Sequence, residues 1–213
     1  MSSPAIGRPV HRMLVLPLLF AVVVGYGDES LSKSNLVGAL QRGGYVILMR
    51  HASSPGTAPD AAHAKPDNPH LERQLDEQGQ ASARVMGDAF RQLKVPIGKV
   101  LSSPTYRALE TVELAKLGPP TILAELGQPE QGMFADKGGS RATWLRGKTA
   151  ERPTAGTNTL IVTHYPNIAE AFPQDTAGLA EGEALILRPD KGHRTALVAR
   201  VKIDEWASLA ATR

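Results

Sequence analysis

The chain has 213 residues, of which 42% are hydrophobic, 21% are charged and none is cysteine. This composition is ordinary for a globular protein and excludes a disordered, collagen-like or multi-span membrane protein. The lack of cysteine excludes a disulfide framework, thiolate zinc sites and a cysteine nucleophile. Aromatic residues make up only 5% of the chain, which argues against a nucleic-acid binder that stacks bases.

The N-terminal segment is typical of a signal peptide. Arg8 and Arg12 form a basic start, and the apolar run 13–25 is too short to cross a hydrocarbon core of about 30 Å. Pro17 and the neighbouring valines disfavour a buried N-terminal helix. An uncleaved membrane anchor is the other alternative to a cleaved signal peptide.

This segment determines the expected domain organisation and location. We expect residues 1–27 to be the signal peptide and residues 28–213 to form a single domain that is periplasmic or secreted. The formal net charge of +3 falls close to zero once the two N-terminal arginines are removed. We therefore expect no nucleic-acid partner and no membrane span after cleavage.

Beyond this segment, short apolar runs alternate with helical patterns. Ser34-Asn35 is the predicted cap of the first helix, and Ser103 is the predicted cap of the third. Strands that alternate with helices predict an α/β fold, a three-layer sandwich with a mostly parallel central sheet and helices on both faces. Helices are predicted at 36–42, 76–93, 104–117, 168–172 and 203–211, and strands at 45–49, 100–101, 121–124, 160–163, 184–187 and 196–201.

Three polar motifs follow buried strands. Arg50-His51 follows the first strand, Arg107 lies just beyond the second, and Thr163-His164 stands at the end of the run 160–163. Ligands of open α/β sheets bind at the carboxyl ends of the strands, where these motifs would meet. An arginine in the first turn of a helix is unfavourable against the helix dipole unless an anion lies there with it. The motifs together predict a pocket for a dianion.

The residue types in this pocket favour phosphate chemistry. The planar guanidinium of arginine matches phosphate oxygens, and histidine is a competent nucleophile towards phosphorus near neutral pH. A zinc site is disfavoured because two arginines would repel the cation and no cysteine is present. A serine hydrolase is disfavoured because the chain has no Gly-x-Ser-x-Gly elbow.

The same segments resemble, in the family's order, the motifs of the histidine phosphatase superfamily, the phosphoglycerate mutase-like group. The resemblance extends from about residue 44 to residue 206. The matching segments are 46–52 (VILMRHA), 73–79 (RQLDEQG), 102–111 (SSPTYRALET) and 161–164 (IVTH).

The resemblance implies a metal-independent mechanism. His51 would attack the phosphoryl group and form a phosphohistidine, while Arg50, Arg107 and His164 would hold the equatorial oxygens and stabilise their charge. His164 is therefore expected to serve both catalysis and phosphate binding. No metal and no cofactor is implied, because the arginines supply the positive charge.

The resemblance also implies a carboxylic acid that protonates the leaving oxygen and then activates the hydrolytic water. By its position after the strand 121–124 this acid is predicted to be Glu125, with Glu130 as the reserve candidate. One departure from the family pattern is Tyr165, which stands where members commonly carry glycine. We expect its ring to narrow the pocket or to contact the substrate.

The short stretch 127–158 leaves little room for a lid over the site. A mutase must hold its phosphorylated intermediate away from water, so an open site favours hydrolysis. Together with export, this predicts a histidine acid phosphatase-type phosphomonoesterase acting on an envelope or periplasmic phosphoester, a phosphorylated sugar or lipopolysaccharide core. The alternatives are a non-catalytic phosphate- or phosphoglycan-binding module on the same fold and, less favoured, a phosphomutase.

Overall fold

The structure is a computed structural model that describes residues 31–128, 139–192 and 194–212. The predicted signal peptide, 1–27, and the reserve acid Glu130 lie outside these residues. The helices are α1 (Lys33–Arg42), α2 (Glu77–Gln92), α3 (Tyr106–Ala115), α4 (Ser140–Thr149), α5 (Tyr165–Ala171) and α6 (Glu205–Ala211). The strands are β1 (Val46–Arg50), β2 (Ile97–Ser102), β3 (Thr121–Ile122), β4 (Asn158–Thr163), β5 (Ala184–Pro189) and β6 (Thr195–Val201).

The described strands form one six-stranded sheet in the order β3-β2-β4-β1-β5-β6. β4 pairs in parallel with β1 and β2, and β2 pairs in parallel with β3. β5 and β6 add an antiparallel hairpin beside β1. The predicted mostly parallel sheet is confirmed. Because β1, β2 and β4 run in the same direction, their carboxyl ends lie at one edge of the sheet.

Helices cover both faces of the sheet, as predicted. β1 shows why, because its apolar residues alternate between two cores. Ile47 and Met49 pack in the core beneath α1, α2, α3 and α6. Val46 and Leu48 pack in the core beneath α4 and α5. A strand buried on both faces requires a continuous apolar run, which is the pattern in this part of the sequence.

The helix starts differ from prediction at two places. Ser32, not Ser34-Asn35, caps α1 by accepting the N–H of Asn35. α3 begins at Tyr106 behind Thr105, which makes no side-chain cap. Ser103 is therefore not the cap of this helix. Its hydroxyl is instead hydrogen-bonded inside the site described below.

The third strand is shorter than predicted. β3 is followed by a 3₁₀ turn at Ala124–Leu126 rather than by two further strand residues. The turn forms because Leu126 buries its side chain completely in the core beneath α4 and α5. This turn carries Glu125 to the same end of the sheet as the polar motifs.

Trp206 of α6 packs edge-on against Phe90 of α2, with ring centroids 4.5 Å apart. This contact closes the core on that face of the sheet. In the part of the chain that the structure describes, no helix is both long enough and apolar enough to span a membrane.

Candidate active site

The three predicted motifs meet at the carboxyl edge of the sheet. Arg50, the last residue of β1, is in register with Thr163, the last residue of β4. Ser102 at the end of β2 is in register with Val162 on the other side of β4. Since β4 lies between β1 and β2, the residues that follow all three strands lie side by side.

His51 follows β1 and is almost completely buried, with 3% of its surface exposed. Its Nδ1 lies 2.8 Å from the carbonyl oxygen of Ala52. A carbonyl only accepts, so Nδ1 carries the ring hydrogen. Nε2 therefore keeps its lone pair and accepts the Nε–H of Arg107 at 3.2 Å. This is the tautomer in which Nε2 can act as a nucleophile.

Arg107 connects both histidines. It lies in the first turn of α3 and is 1% exposed. Its Nη2 lies 3.2 Å from Nδ1 of His164 and also donates to the Oε1 of Gln128. An arginine N–H only donates, so Nδ1 of His164 is an acceptor.

His164 completes the cluster and is fully buried. Because its Nδ1 accepts, its Nε2 carries the hydrogen and donates to the Oγ of Ser103 at 2.9 Å. The Oγ1 of Thr105 lies 3.3 Å from the same nitrogen. The ring centroids of His51 and His164 are 5.3 Å apart. The two hydroxyls therefore fix both the orientation and the tautomer of the second histidine.

Both histidines are neutral at physiological pH. Burial is the largest cause and lowers the pKa of His51 to about 3, although its bond to the Ala52 carbonyl opposes the shift and the charges of Arg107 and Arg50 add to it. Burial likewise lowers the pKa of His164 to about 2, followed by the charge of Arg107. The positive charge of the site therefore resides on its arginines, and an anion is the natural complement.

Arg50 lies beside the pair of histidines and is held from several sides. Its Nη2 forms an ion pair with the Oε1 of Glu181 at 2.8 Å. Its Nη1 donates to the carbonyl of Leu179 at 3.3 Å. The ring of Tyr165 lies over the guanidinium, with 5.8 Å between the guanidinium carbon and the ring centroid. Tyr165 therefore contacts a site arginine. That its ring narrows the pocket or contacts the substrate stays a prediction.

Glu125 lies half-buried in the turn Ala124–Leu126. Thr163 and Asn167 fix this turn by donating to the carbonyl of Leu126 at 2.7 and 3.0 Å. Among the described residues, no hydrogen bond holds the carboxylate of Glu125 against the histidines or the arginines. Its role as the acid stays a prediction.

Several supporting residues were not found from the sequence. The Oγ1 of Thr111 accepts the N–H of Ala52 at 3.1 Å and donates to the carbonyl of Arg107 at 2.8 Å, so it joins two motifs. Glu72 accepts the N–H of Tyr106 and so places a negative charge at the start of α3, the helix that carries Arg107. Glu72 and Tyr106 are 34 residues apart, and no local pattern signals that contact.

Within the described ranges, no group of three or more histidine, aspartate or glutamate side chains is arranged to hold a metal ion. The donor set of the site, two arginines and two neutral histidines, fits an anion rather than a cation.

Comparisons with known proteins relate this chain to one family and one fold. A family model described as histidine phosphatase superfamily (branch 1) matches residues 46–137. No curated protein matches the chain. The fold is similar to the structure of the protein histidine phosphatase SixA complexed with tungstate, with a TM-score of 0.53, 20% identity, and coverage of 76% of this chain and 98% of that chain.

A second similar structure is that of an open reading frame from Mycobacterium tuberculosis, with a TM-score of 0.51, 15% identity, and coverage of 74% of this chain and 97% of that chain. At these identities the two structures show a shared fold. The family model spans the first two motifs, and the fold brings His164 of the third motif to the same edge. The chain is therefore similar to the histidine phosphatase superfamily in sequence over residues 46–137, and it shares the fold of a protein histidine phosphatase.

Proposed function

We propose that the protein is a metal-independent phosphomonoester hydrolase that acts through a phosphohistidine on His51. The match of residues 46–137 to the histidine phosphatase superfamily supports a phosphatase in general. The observation that carries the finer proposal is the tautomer of His51, because the bond from its Nδ1 to Ala52 leaves the Nε2 lone pair directed at Arg107. A buried neutral imidazole beside fixed cations is suited to attack a phosphoryl group held by those cations.

The first step forms a bond between Nε2 of His51 and phosphorus and breaks the bond between phosphorus and the leaving oxygen. That oxygen takes a proton from a carboxylic acid, proposed to be Glu125, and departs as the alcohol. In the second step water attacks phosphorus and gives its proton back to the carboxylate. The P–N bond then breaks, and inorganic phosphate and free His51 result.

The arginines and His164 supply the electrostatic part of the mechanism. We assign Arg50, Arg107 and His164 to the three equatorial oxygens, where charge accumulates in the transition state. The hydroxyls of Ser103 and Thr105 hold Nε2 of His164, so this ring reaches a phosphoryl oxygen through Nδ1, which takes up a proton when the anion binds. Since fixed cations already provide the positive charge, the proposed mechanism requires no metal.

The proposed substrate is an envelope or periplasmic phosphoester, such as a phosphorylated sugar or lipopolysaccharide core. This part rests on the signal-peptide pattern of residues 1–27 and on the short stretch between Gly127 and Asn158. A substrate panel also includes phosphohistidine, because SixA is a protein histidine phosphatase.

A phosphate- or phosphoglycan-binding module on the same fold is the second candidate. The observation that favours it is Glu125, which has no hydrogen bond to the histidines or arginines in the described part of the chain. A module of this kind would bind an anion on Arg50 and Arg107 without releasing an alcohol.

Hydrolysis of p-nitrophenyl phosphate in the presence of EDTA, from pH 5 to pH 8, tests the proposal. We expect turnover by the parent protein and none by His51→Ala. His63→Ala is the matched control, because the His63 side chain is 79% exposed and pairs with Asp60 rather than with a residue of the site. Turnover by His51→Ala would contradict the nucleophile, and loss of parental activity in EDTA would contradict the metal-free mechanism. A parent that binds vanadate without turnover would favour the binding module.

A further inference from the structure

The loop 179–183 is attached to the first motif at several points. The N–H of Arg50 donates to the carbonyl of Glu183 at 3.1 Å, and the N–H of Gly182 donates to the carbonyl of His51 at 2.9 Å. Glu183 is itself fixed by Arg200 at 2.7 Å and by the N–H of Ala180 at 2.8 Å. The intervening residue, Glu181, is therefore held at a defined place beside the catalytic edge.

Glu181 and its loop occupy the outer nitrogens of Arg50. Nη2 pairs with the Glu181 carboxylate at 2.8 Å and Nη1 with the Leu179 carbonyl at 3.3 Å. Tyr165 covers one face of the same guanidinium at 5.8 Å. The side chains of Arg50 and Glu181 are 23% and 28% exposed, so this pair is shielded more than an ordinary surface ion pair.

The third nitrogen of Arg50 is different. Its Nε is buried and has no hydrogen-bond partner among the described residues. A buried donor without a partner is costly, and native structures keep few of them. Arg50 directly precedes His51, and its charge acts on both histidines of the site. The Nε–H is thus a donor kept available for an anion beside His51.

We propose that Glu181 is a positioning residue that holds Nη2 of Arg50 and thereby presents the Nε–H of this arginine to the phosphoryl group. This proposal rests on the proposed function of the site and deepens it. The Glu181 carboxylate also lowers the positive charge around the bound anion. Glu181 therefore has two separable effects, orientation of Arg50 and partial neutralisation of it.

Two substitutions separate these effects. Glu181→Gln keeps an oxygen that accepts from Nη2 and removes the charge. Glu181→Ala removes both. We expect Glu181→Gln to retain kcat within about threefold and to bind tungstate at least as tightly as the parent, since a repelling charge is gone. We expect Glu181→Ala to lower kcat and to weaken tungstate binding, each by about 10- to 100-fold, because the guanidinium is free to turn away.

The control is Glu151→Ala. Glu151 forms an exposed ion pair with Lys148 at 2.6 Å on the far end of α4, so its loss leaves both quantities unchanged. Thermal unfolding of each variant confirms that the fold is intact. If Glu181→Ala kept parental kcat and tungstate affinity, or if Glu181→Gln lost as much as Glu181→Ala, the positioning role would be wrong.

Tungstate affinity does not depend on turnover, so it separates this proposal from the proposed function. A parent protein that binds tungstate without hydrolysing p-nitrophenyl phosphate would contradict the hydrolase. The weakening of tungstate by Glu181→Ala, with its rescue in Glu181→Gln, would then still support the positioning of Arg50. A parent that neither hydrolyses nor binds tungstate would contradict both.

Discussion

Arg107 donates its Nε–H to Nε2 of His51 across 3.2 Å. The cation assigned to the phosphoryl oxygens therefore also contacts the lone pair that is to attack phosphorus. Substrate binding has to transfer this N–H from the imidazole nitrogen to a phosphoryl oxygen. The same movement frees the Nε2 lone pair of His51 and places a positive charge against the phosphoryl oxygen. One hydrogen-bond exchange therefore prepares both the nucleophile and the phosphoryl group.

The first prediction concerns Arg107→Lys. A lysine ammonium lacks the planar fork that reaches both His51 and His164 at 3.2 Å. We expect kcat/KM to fall by about 10²- to 10³-fold, as for the loss of one fixed donor to a developing negative charge. Steady-state kinetics on p-nitrophenyl phosphate measure this, with Arg84→Lys on the exposed side of α2 as the control. A drop below tenfold would contradict the assigned role.

The convergence of the main site residues was predictable from the sequence, because it depends on local patterns. Apolar runs identify strands buried on both faces, and Arg50, His51 and His164 follow such runs directly. What the sequence did not reveal depends on contacts between distant segments. The pairing of Arg50 with Glu181, 131 residues later, leaves no periodic or spacing signal.

The same distinction between local patterns and distant contacts explains two predictions that were wrong, the Ser103 cap and the length of the third strand. A serine before a proline near a helix start is a good cap by local rules. In the fold, however, the Ser103 hydroxyl lies 2.9 Å from Nε2 of His164, and this tertiary contact outweighs the local preference. The early end of β3 has a similar cause, since burial of Leu126 turns the chain inward before the strand can extend.

The second prediction is a loss of stability in mild acid. The pKa of His51 is about 3 and that of His164 about 2 in the folded protein, against 6.5 when the chain is unfolded. Below pH 6.5 the unfolded state therefore binds more protons, and the free energy of unfolding decreases as the pH falls towards 3. Each histidine contributes up to about 1.4 kcal/mol per pH unit. Denaturant unfolding at a series of pH values measures the slope.

The control for this prediction is His164→Asn, which removes one of the two groups. Its unfolding free energy should change with pH at about half the parental slope between pH 6 and pH 4.5, whatever its absolute stability. A variant slope equal to that of the parent would show that the buried histidines do not cause the acid sensitivity.

The third prediction is that anion binding takes up a proton. Burial and, after it, the charges of Arg107 and Arg50 lower the pKa of both histidines. A tungstate dianion offsets those charges and raises the pKa values, so the complex holds more protons than the free protein. Titration calorimetry near pH 4.5, where a raised pKa of His51 comes within range, measures this uptake in buffers of different ionisation enthalpy. Equal apparent enthalpies in all buffers would contradict it.

The fourth prediction concerns Thr111, which joins the first two motifs. Thr111→Val removes the oxygen that accepts the N–H of Ala52 at 3.1 Å and donates to the carbonyl of Arg107 at 2.8 Å. An unpaired buried N–H costs about 1–3 kcal/mol of stability. We expect that loss together with reduced kcat, because Ala52 also fixes His51. Thr111→Ser, which keeps the hydroxyl, should recover most of the stability and most of kcat. If it does not, the loss in Thr111→Val comes from changed packing and not from the hydrogen bonds.

The last prediction concerns the close approach of α2 to the loop after His51. A Cβ on Gly79 would lie 2.1 Å from the carbonyl oxygen of Ser53, so the backbone has to move. Ser53 is tied to the same helix start, since its Oγ donates to Asp76 at 2.6 Å. We therefore expect Gly79→Ala to lower the free energy of unfolding by about 2 kcal/mol or more and to reduce kcat, because the displaced segment carries the residues next to His51.

Gly147→Ala is the matched control. Gly147 lies within α4 with no atom within 4 Å of its added Cβ, so alanine there should stabilise the helix by up to about 1 kcal/mol without changing kcat. Thermal unfolding and steady-state kinetics of both variants measure the contrast. A Gly79→Ala protein with parental stability and kcat would show that the segment after His51 yields without affecting the site.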